Sequence, residues 1–320
     1  MGASRFLICM TGVSGLIKYI LKRILISILT LFVLITVSFI LVKALPGSPF
    51  TNNKVPDSAK AALYEYYGLD KPVWEQYVIY LNNLLHGNLG YSTTLTGRTV
   101  NDIISTAFPY SLDLGLRALA VGLIVGVLLG IAAALKRGGV TDKLCMVIAV
   151  IGTSIPSFII GAMIQYIFAV ELKWFPVATY QTVLHTVLPT IALSLGMIAS
   201  IGKYTRTSML DVIYSDYVRT ADAKGLSTTE IVFKHEIRNA ILPIVTMLGP
   251  MVAGVLTGTF VVEQIFAIPG LGRHFVTSVT NLDYSLIVGL TVFYGAFLVV
   301  MNLVVDIVYG LIDPRIRING

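Results

Sequence analysis

The residues that could carry acid–base, nucleophilic or metal chemistry are scattered along this sequence. Its four histidines, His86, His185, His235 and His274, lack the spacing that protein ligands of a metal ion show. The Gly-x-Gly-Asp motif of intramembrane aspartyl proteases is absent. The sequence therefore predicts no catalytic residue, no metal site and no cofactor.

The nearest approach to a phosphate-binding loop is the stretch GMIASIGKY. Five residues separate Gly196 from Gly202, and Tyr204 stands where a phosphate-binding loop requires Ser or Thr. The stretch also falls inside an apolar run that we expect to cross a membrane. It is therefore not expected to bind a nucleotide.

A polar, helix-patterned stretch, DYVRTADAKGLSTTEIVFKHEIRNAILP, interrupts the otherwise apolar sequence at residues 216–243. Residues 208–224 have the composition of a helix, and Gly225 follows where a helix end needs a positive φ. Ser227 and Glu230 form an S-x-x-E capping box that predicts a second helix, which should end at Pro243. The sequence thus predicts a helix–turn–helix, here called the 211–240 segment.

Three uses of the 211–240 segment are open on pattern alone. DNA binding is disfavoured because residues 203–238 hold six basic and five acidic residues, a balance unsuited to tracking phosphates. A structural connection between membrane spans is the simplest alternative. A surface that docks another protein explains better why two capped helices stand where a short loop would connect the spans.

Composition places these features in a membrane protein. Hydrophobic residues make up 56% of the 320 residues and charged residues only 12%, whereas soluble domains carry about 25% charged residues. Apolar runs of 18 or more residues are typical of membrane-spanning helices, and we predict an all-α, polytopic protein with six of them. The third and fourth runs carry the internal prolines Pro156 and Pro189, which membrane helices tolerate. The six runs are 24–45, 111–135, 144–170, 188–210, 241–262 and 285–311.

The distribution of Lys and Arg predicts the orientation. Cytoplasmic loops collect these residues. With the N-terminus inside, fifteen of them fall on the inner side and six on the outer side. Both termini are therefore expected in the cytoplasm, with residues 1–23 and 312–320 as tails. The net charge of +6 follows from this topology and requires no nucleic-acid partner. Residues 1–23 lack a small-residue cleavage site, so the first span is expected to be retained.

The one long outer segment is 46–110. Two short amphipathic helices fit its pattern, at about residues 57–67 and 72–86. Gly68 suits the position after a helix end, and Pro72 suits a first helical turn. The segment either caps the outer helix ends or docks a partner, and the sequence leaves both readings open.

The 211–240 segment resembles the cytoplasmic coupling loop of binding-protein-dependent ABC importer permeases. The matching positions are Ala221 and Gly225. Arg219 and Thr220 replace the Glu and Ala of the general pattern, as is usual in the peptide/nickel subfamily, for which DYVRTADAKGLS is close to the common form. The stretches ALPGSPF, YGLDKPVWEQYVIYL, IFAIPGLGRHFVTSV and VDIVYGLIDPRIR are also similar to that subfamily. The resemblance covers residues 18–318 and, within the subfamily, is greatest to B-type oligopeptide permease subunits of Gram-positive bacteria.

The resemblance implies a type I ABC importer permease fold, with a five-helix core at 111–311, and transport by alternating access. It implies a location in the cytoplasmic membrane, surrounded by lipid, and three kinds of protein partner. These are a second, C-type permease, two ATP-binding subunits that hydrolyse ATP, and an extracellular peptide-binding protein. The residues expected to contact the ATP-binding subunits are Tyr217, Arg219, Ala221, Asp222, Ala223, Lys224, Gly225, Leu226, Ser227 and Glu230.

Polar residues inside the spans are candidates for the translocation path or for contacts between helices. Asp113 and Arg117 stand four apart on one helix and are expected to pair structurally. Glu263 could bind the amino group of a peptide or face water. The full set of candidate path residues is Ser154, Ser157, Gln165, Ser194, Ser200 and Glu263.

Two other classes of protein are alternatives to a permease. A secondary transporter driven by an ion gradient would favour inverted repeats and buried carboxylates near the bilayer midplane, and the sequence shows neither. A membrane scaffold without transport activity is compatible with the sequence. Oligopeptides are the first expectation for the substrate, dipeptides the second, and nickel or another small solute the third.

Overall fold

The computed structural model describes residues 2–44, 64–95 and 97–312, and within them every regular element is helical. A single antiparallel bridge joins Tyr91 and Thr99. The chain divides into two compact units, one made of residues 1–109 and 270–320 and the other of residues 110–269. The boundary falls at Pro109, inside one long helix. The predicted all-α class is confirmed.

The first unit contains the ends of the chain and the outer segment. Its helix α1 is continuous from Gly2 and includes most of the residues that were expected to form a tail, whereas the apolar part begins at Ile20. The helices of this unit are α1 (Gly2–Ala44), α2 (Val73–Leu85), the beginning of α3 (Val100–Leu135), α12 (Leu271–Thr280) and α13 (Tyr284–Ile312).

Close approach of α1 and α13 depends on a residue without a side chain. A Cβ atom on Gly295 of α13 would lie 2.6 Å from Cδ1 of Leu34 on α1. The ring of Phe108 packs edge-on against Phe293 and Phe297 of α13, with centroid distances of 5.1 and 5.3 Å. Aromatic pairs in this geometry add a favourable electrostatic contribution to the burial of their rings.

In the outer segment, helix α2 begins directly after Pro72, close to the predicted 72–86. The other predicted helix, 57–67, lies mostly outside the described residues, but its last four residues are helical. Gly68 has φ +58, and Leu69 N–H donates to the carbonyl of Tyr64 at 3.0 Å. Gly68 therefore follows the helix end in the left-handed conformation that its position predicted.

A buried carboxylate holds the end of the outer segment to the start of α13. Asp283 is fully buried and accepts hydrogen bonds from the backbone N–H groups of Thr93 and Thr94, both at 3.1 Å. The hydroxyls of Ser92, Thr93 and Thr94 also donate to it. Leu286 N–H at the start of α13 donates at 3.1 Å. All of these contacts supply hydrogen-bond donors to the carboxylate oxygens, so Asp283 anchors the end of the outer segment to the start of α13.

The second unit is built around one long helix, α6. Its other members pack on α6 or follow it in the chain. The elements are the rest of α3, α4 (Val140–Ser154), α5 (Ser157–Ile164), a π-helical turn π1 (Gln165–Glu171), α6 (Val183–Ile213), α7 (Asp216–Ala223), α8 (Thr228–Glu230), π2 (Ile231–Glu236), α9 (Ile237–Ala240), α10 (Leu242–Gly258) and α11 (Phe260–Ile265).

Glycines on α3 let its backbone approach α6. Gly122, Gly126 and Gly130 are spaced four apart and therefore share one face of the helix. A Cβ atom on Gly126 would lie 2.8 Å from Cβ of Ile201, and one on Gly130 would lie 2.6 Å from the carbonyl oxygen of Gly202. Real Cβ atoms do not occupy such positions, so larger residues at either glycine would force the helices apart.

Helix α4 also approaches the backbone of α6 closely at a glycine. A Cβ atom on Gly152 would lie 2.7 Å from the carbonyl oxygen of Leu195 and 2.7 Å from Cβ of Ala199. Small residues at helix interfaces are typical of membrane proteins, where packing rather than expulsion of water drives association.

The predicted third span, 144–170, is not one helix. Helices α4 and α5 are bent by 105° at Ile155 and Pro156. Ile155 has φ −102° and ψ 123°, the extended conformation that a following proline favours. Pro189, by contrast, lies inside the continuous helix α6.

Four helices of the described residues are long and apolar enough to cross a membrane, or up to five if the bent pair is one span. These helices, Ile20–Ala44, Val100–Leu135, Val183–Ile213 and Tyr284–Val305, overlap the predicted spans 24–45, 111–135, 188–210 and 285–311. The predicted span 241–262 falls on α10, whose 17 residues end at Gly258, and continues after Thr259 as α11. The count of six therefore stays a prediction.

The glycine contacts predict that Gly126→Val destabilises the protein by about 1–3 kcal/mol, the usual cost of overpacking, because the new side chain collides with Ile201. The amount of folded protein after detergent extraction, and its unfolding temperature, measure this. Gly254→Val is the matched control, since no atom lies within 4 Å of a Cβ there. Equal yields and unfolding temperatures for both variants would contradict the close-packing account.

Candidate functional site

The 211–240 segment begins where α6 ends, and its first helix is shorter than predicted. The sequence predicts one helix over 208–224, but α6 ends at Ile213 and α7 begins at Asp216. Between them Ser215 is extended, with φ −75° and ψ 151°. Its hydroxyl and its N–H both donate to the carbonyl of Val212, at 2.6 and 2.9 Å. Serine offers the backbone this alternative to helical bonding, and the chain turns here.

Gly225 ends α7 as the sequence predicted. It has φ +77. Its N–H donates to the carbonyl of Asp222 at 2.8 Å, and Leu226 N–H donates to the carbonyl of Ala221 at 3.4 Å. This pair of bonds is the Schellman arrangement, which requires a residue in the left-handed region after the helix.

The second limb of the segment, residues 227–241, is here called the return limb. It starts at the predicted cap, Ser227. The hydroxyl oxygen of Ser227 accepts from Glu230 N–H at 3.4 Å, and its O–H donates to the Glu230 carboxylate at 3.3 Å. The limb is not a uniform α-helix, because residues 231–236 form the π-helical turn π2. It ends at Ile241, and Pro243 lies in the first turn of α10, so the predicted break near Pro243 is confirmed.

The two limbs enclose a small core of their own. Val218 and Ala221 of α7 pack against Ile231 of the return limb, and all three are buried. Val212 and Leu226 cover this cluster. The segment therefore has a defined shape that does not depend on a partner.

The base of the 211–240 segment is joined to α6 by packing and by a hydrogen bond. Met209 of α6 is fully buried against Ala134 of α3 and Ala240 of α9. The hydroxyl of Ser208 donates to the carbonyl of Ala240 at 2.8 Å. Both limbs are consequently anchored to the last two turns of α6.

The outward face of the segment carries most of the predicted coupling residues. Two of them, Leu226 and Glu230, are half-buried, and Ala221 is buried in the small core. The exposed ones are Tyr217, Arg219, Asp222, Ala223, Lys224, Gly225 and Ser227.

Phe233 was not among the residues singled out from the sequence, yet its side chain is 67% exposed. Sequence reasoning counted it with the apolar positions of the return limb. Within π2, Ile231 and Val232 are buried while Phe233 is not. Tyr217 on α7 is a second exposed aromatic side chain of the segment, at 43%.

Charges on the segment are paired at its exposed side. Lys234 Nζ lies 2.9 Å from the Glu230 carboxylate, one helical turn away. This hydrogen bond lowers the pKa of Glu230 below its ordinary value, with a smaller contribution from Ser227. The Glu230 carboxylate therefore remains ionised at physiological pH and accepts the hydrogen bond from the Ser227 hydroxyl.

The surroundings of Glu236 differ from those of Glu230. Its side chain is buried, and within the described part of the chain its Oε2 atom has no hydrogen-bond partner. Burial raises the pKa of Glu236. An ionised carboxylate in this position is costly, since nothing replaces the water that it loses.

An ion pair that sequence reasoning missed lies beside the segment. Arg206 of α6 donates to both oxygens of Asp142, the Nη2 bond measuring 3.0 Å. Gly138 N–H donates to Asp142 at 2.8 Å, and the Asp142 side chain is only 9% exposed. The two residues are 64 positions apart, and no local pattern links them. Nearby, Arg137 donates to the hydroxyl of Tyr214 at 3.2 Å.

The predicted Asp113–Arg117 pair is confirmed. The Arg117 Nε to Asp113 Oδ2 distance is 2.8 Å, and Tyr180 O–H donates to the same oxygen at 2.7 Å. The Asp113 and Arg117 side chains remain 43% and 42% exposed. The pair is therefore not enclosed by this chain alone.

The candidate path residues are not gathered in one place. Gln165 donates to the carbonyls of Val177 and Ile265, at 2.7 and 3.0 Å, and so joins two connecting stretches. Ser194 is buried and donates to the carbonyl of Ile191 in its own helix at 3.2 Å. Glu263 is fully buried, which excludes the alternative that it faces water. The remaining three are exposed or half-buried, namely Ser154, Ser157 and Ser200.

Among the described residues, no group of three or more His, Cys, Asp or Glu side chains is arranged to hold a metal ion. The GMIASIGKY stretch lies within α6, so its glycines belong to a helix and cannot form a phosphate-binding loop. Gly202 instead receives α3 at close range.

Comparison with known protein families matches two parts of the chain. Residues 126–318 match the family described as "Binding-protein-dependent transport system inner membrane component". Residues 16–115 match "Binding-prot-dependent transport system membrane comp, N-term".

Similar proteins cover nearly the whole chain. The dipeptide transport system permease protein DppB of Bacillus subtilis is 45% identical, over 94% of this chain and 98% of its own length. The oligopeptide transport system permease proteins OppB of Haemophilus influenzae and Escherichia coli are 40% and 41% identical, over 94% of this chain and 100% of theirs.

Two solved structures have a similar fold. One is an amino acid ABC transporter crystallised with histidines, with a TM-score of 0.50 and 16% identity, which covers 67% of this chain and 94% of its own. The other is the inward-facing MetNI methionine ABC transporter, with a TM-score of 0.52 and 17% identity, which covers 67% and 96%. The chain therefore has the type I ABC importer permease fold.

The burial of Glu236 predicts that Glu236→Gln stabilises the protein at neutral and alkaline pH. The folded-state pKa lies above the ordinary value, so ionisation costs stability as pH rises through it, by about 1.4 kcal/mol for each unit of difference. The gain in unfolding temperature should thus be small near pH 4.5 and grow towards pH 8.

Glu230→Gln is the matched control for this measurement. Its pKa is lowered by Lys234, so the same substitution should lower the unfolding temperature at neutral pH. A gain for Glu236→Gln that does not change with pH would show that charge burial is not its cause.

Proposed function

The chain belongs to the family of binding-protein-dependent transport system inner membrane components, and we propose that it is the B-type permease subunit of an ATP-driven importer of oligopeptides. It is a multi-pass membrane protein of an ABC transport system. Its relatives over nearly full length are peptide permeases, which is the support for a peptide substrate. Transport proceeds by alternating access across the cytoplasmic membrane.

One observation supports the proposed coupling mechanism. The 211–240 segment has its own core, two capped limbs, an exposed aromatic and polar face, and an anchored base on α6. A simple connection between spans needs none of these. A segment of this kind suits a rigid contact through which another protein displaces α6, since packed side chains transmit a shift instead of absorbing it.

The partner at this face is an ATP-binding subunit. The chain contains no nucleotide-binding loop of its own, and permeases of this family are not catalytic subunits. Two ATP-binding subunits therefore hydrolyse ATP, one docked on this permease and one on a second, C-type permease. The contact residues include Tyr217, Arg219 and Lys224, and Phe233 is added to them because of its exposure.

On the outer side, an extracellular binding protein delivers the peptide. Helix α2 presents a row of exposed apolar side chains, Trp74, Val78 and Leu85, that are 67%, 55% and 87% exposed and share one helix face. An exposed apolar row of this kind marks an interaction surface. The outer segment thus serves in docking as well as in capping the helix ends.

The path for the peptide lies between the two permeases. Peptides present mainly backbone amides, so weak and scattered polar groups such as Ser154, Ser157 and Ser200 are adequate partners. Gln165 and Ser194 are bonded within this chain and act in packing. Glu263 is buried inside its own unit, so a contact with the peptide's amino group would need a rearrangement.

Dipeptides are the second candidate substrate, because the Bacillus subtilis relative at 45% identity is a dipeptide permease. Uptake of a labelled dipeptide and a labelled pentapeptide into vesicles containing the complete complex separates the two. Faster uptake of the pentapeptide supports the first proposal. Uptake of the dipeptide alone supports the second.

Gly225 provides the central test of coupling. At φ +77 a residue with a Cβ atom is strained by about 1–2 kcal/mol, and a β-branched residue fares worst. Gly225→Val should therefore abolish peptide-stimulated ATP hydrolysis and uptake at normal levels of inserted protein. Gly225→Asn should retain a measurable fraction of both, since Asn tolerates this conformation. Uptake per molecule of this subunit is the measurement.

Gly87→Val is the matched control for backbone strain. Gly87 has φ +73 and lies in the outer segment, and a Cβ atom there, as at Gly225, would have no other atom within 4 Å. Its valine variant should keep ATP hydrolysis coupled to uptake. Near-normal uptake by Gly225→Val would remove the 211–240 segment as the coupling element.

A substitution at Phe233 tests the docking face without changing the stability of the fold. Because its side chain is exposed in this chain, Phe233→Ser should leave the unfolding temperature unchanged. An apolar residue buried at a contact contributes about 1–2 kcal/mol, so association with the ATP-binding subunits should weaken about tenfold. Leu85→Ser on α2 is the control, and it should bind them normally. Equal binding by both variants would exclude Phe233 from the contact.

A further inference from the structure

A cavity of about 80 Å³ lies in the first unit beside the end of α1. Its walls are apolar and aromatic. Phe39 and Val42 come from α1, Ile79 and Tyr80 from α2, and Val288 from α13. Neither the coupling segment nor the candidate path residues contribute to it.

One positive charge stands at the cavity. The ammonium of Lys43 donates to the side-chain carbonyl of Gln76 and lies 5.7 Å from the centre of the Phe39 ring. Gln76 is buried, and its amide donates to the carbonyl of Lys71 at 2.7 Å. Gln76 is thus held in place by two bonds and positions Lys43 at the cavity.

The charge of Lys43 is not neutralised within the described residues, since none of their carboxylates forms an ion pair with it. An ammonium has three N–H donors, and the bond to Gln76 uses one. Lys43 is exposed, so the other two donors are accessible from outside the cavity.

Tyr80 supplies a second polar group. Its hydroxyl oxygen is buried and has no hydrogen-bond partner in the part of the chain that the structure describes. Burial raises the pKa of Tyr80, so the phenol keeps its proton and can donate it to an acceptor. An apolar cavity with an ammonium at its edge and a free phenol in its wall fits an anionic amphiphile.

The position of the cavity identifies the source of such a molecule. The apolar part of α1 runs from Ile20 to Ala44, and large apolar residues along it, including Leu25, Leu29 and Leu41, are exposed. Lys43 is therefore at the end of a span, at the depth where lysine side chains reach lipid headgroups.

We propose that this cavity binds one anionic phospholipid. The ammonium of Lys43 holds the phosphate, and an acyl chain enters between Phe39, Tyr80 and Val288. The bound lipid fills the space between α1 and α2 and links the outer segment to the membrane surface.

Native mass spectrometry of the full chain tests this, with phosphatidylglycerol and phosphatidylcholine of the same acyl chains as probes. The wild type should bind one phosphatidylglycerol about tenfold more tightly than phosphatidylcholine, as expected for a charge-assisted bond. Lys43→Gln should lose this preference and Lys43→Arg should keep it. Lys71→Gln, at a neighbouring exposed lysine outside the cavity, should behave as the wild type.

Two further experiments distinguish binding of the acyl chain from binding of the phosphate. Val42→Trp fills the cavity and should weaken the binding of both lipids, with the unfolding temperature as the check on folding. Glycerol phosphate at millimolar concentration should not displace the lipid. Displacement would mean a simple phosphate site and would overturn the proposal. So would equal affinity of the wild type for both lipids, or an unchanged preference in Lys43→Gln.

Discussion

The second unit depends on the close approach of helix backbones at α6. Inside a bilayer, apolar side chains gain little by leaving lipid for protein, so helices associate through packing and through polar contacts. Glycines on α3 and on α4 supply that packing from two directions. Because Gly202 and Ala199 of α6 are themselves small, the approach is closest along the middle of the helix. Helix α6 is therefore the element whose position is most constrained by its neighbours.

Because α6 is closely packed by its neighbours, the contacts between α6 and the 211–240 segment matter for the proposed function. The segment starts at the end of α6 and is joined to it again by Met209 and Ser208 through the return limb. The Asp142–Arg206 ion pair ties the start of α4 to the same end of α6. A displacement of α7 therefore reaches α6 through packed side chains and hydrogen bonds, and α6 in turn carries contacts to α3 and α4. The proposed coupling to ATP hydrolysis uses this continuity.

Two buried carboxylates, Asp283 and Glu236, have contrasting surroundings. Asp283 is surrounded by donors from the outer segment and from the start of α13, which makes it a stable structural anchor. Glu236, in the 211–240 segment, lacks a partner for one oxygen in the described residues. The first arrangement favours one fixed geometry. The second leaves a group whose free energy changes with its surroundings, in the segment expected to meet a moving partner.

Local features of the sequence determined much of this structure. The all-α class and most of the apolar helices follow from long apolar runs, and the bounds of α2 follow from Pro72. Gly225 and Ser227 predicted the turn and the cap, because the need for positive φ and for a capping oxygen arises within a few residues. The family resemblance was likewise contained in short stretches.

Tertiary structure decided what depends on residues far apart in the chain. The helix predicted over 208–224 is divided at Ser215, and Val218 and Ala221 of α7 are buried against Ile231 of the return limb. The partner of Asp142 is on another helix, and Phe233 is exposed while its neighbours Ile231 and Val232 are buried. Composition and periodicity record which residues prefer apolar surroundings, but packing alone determines which of them meet.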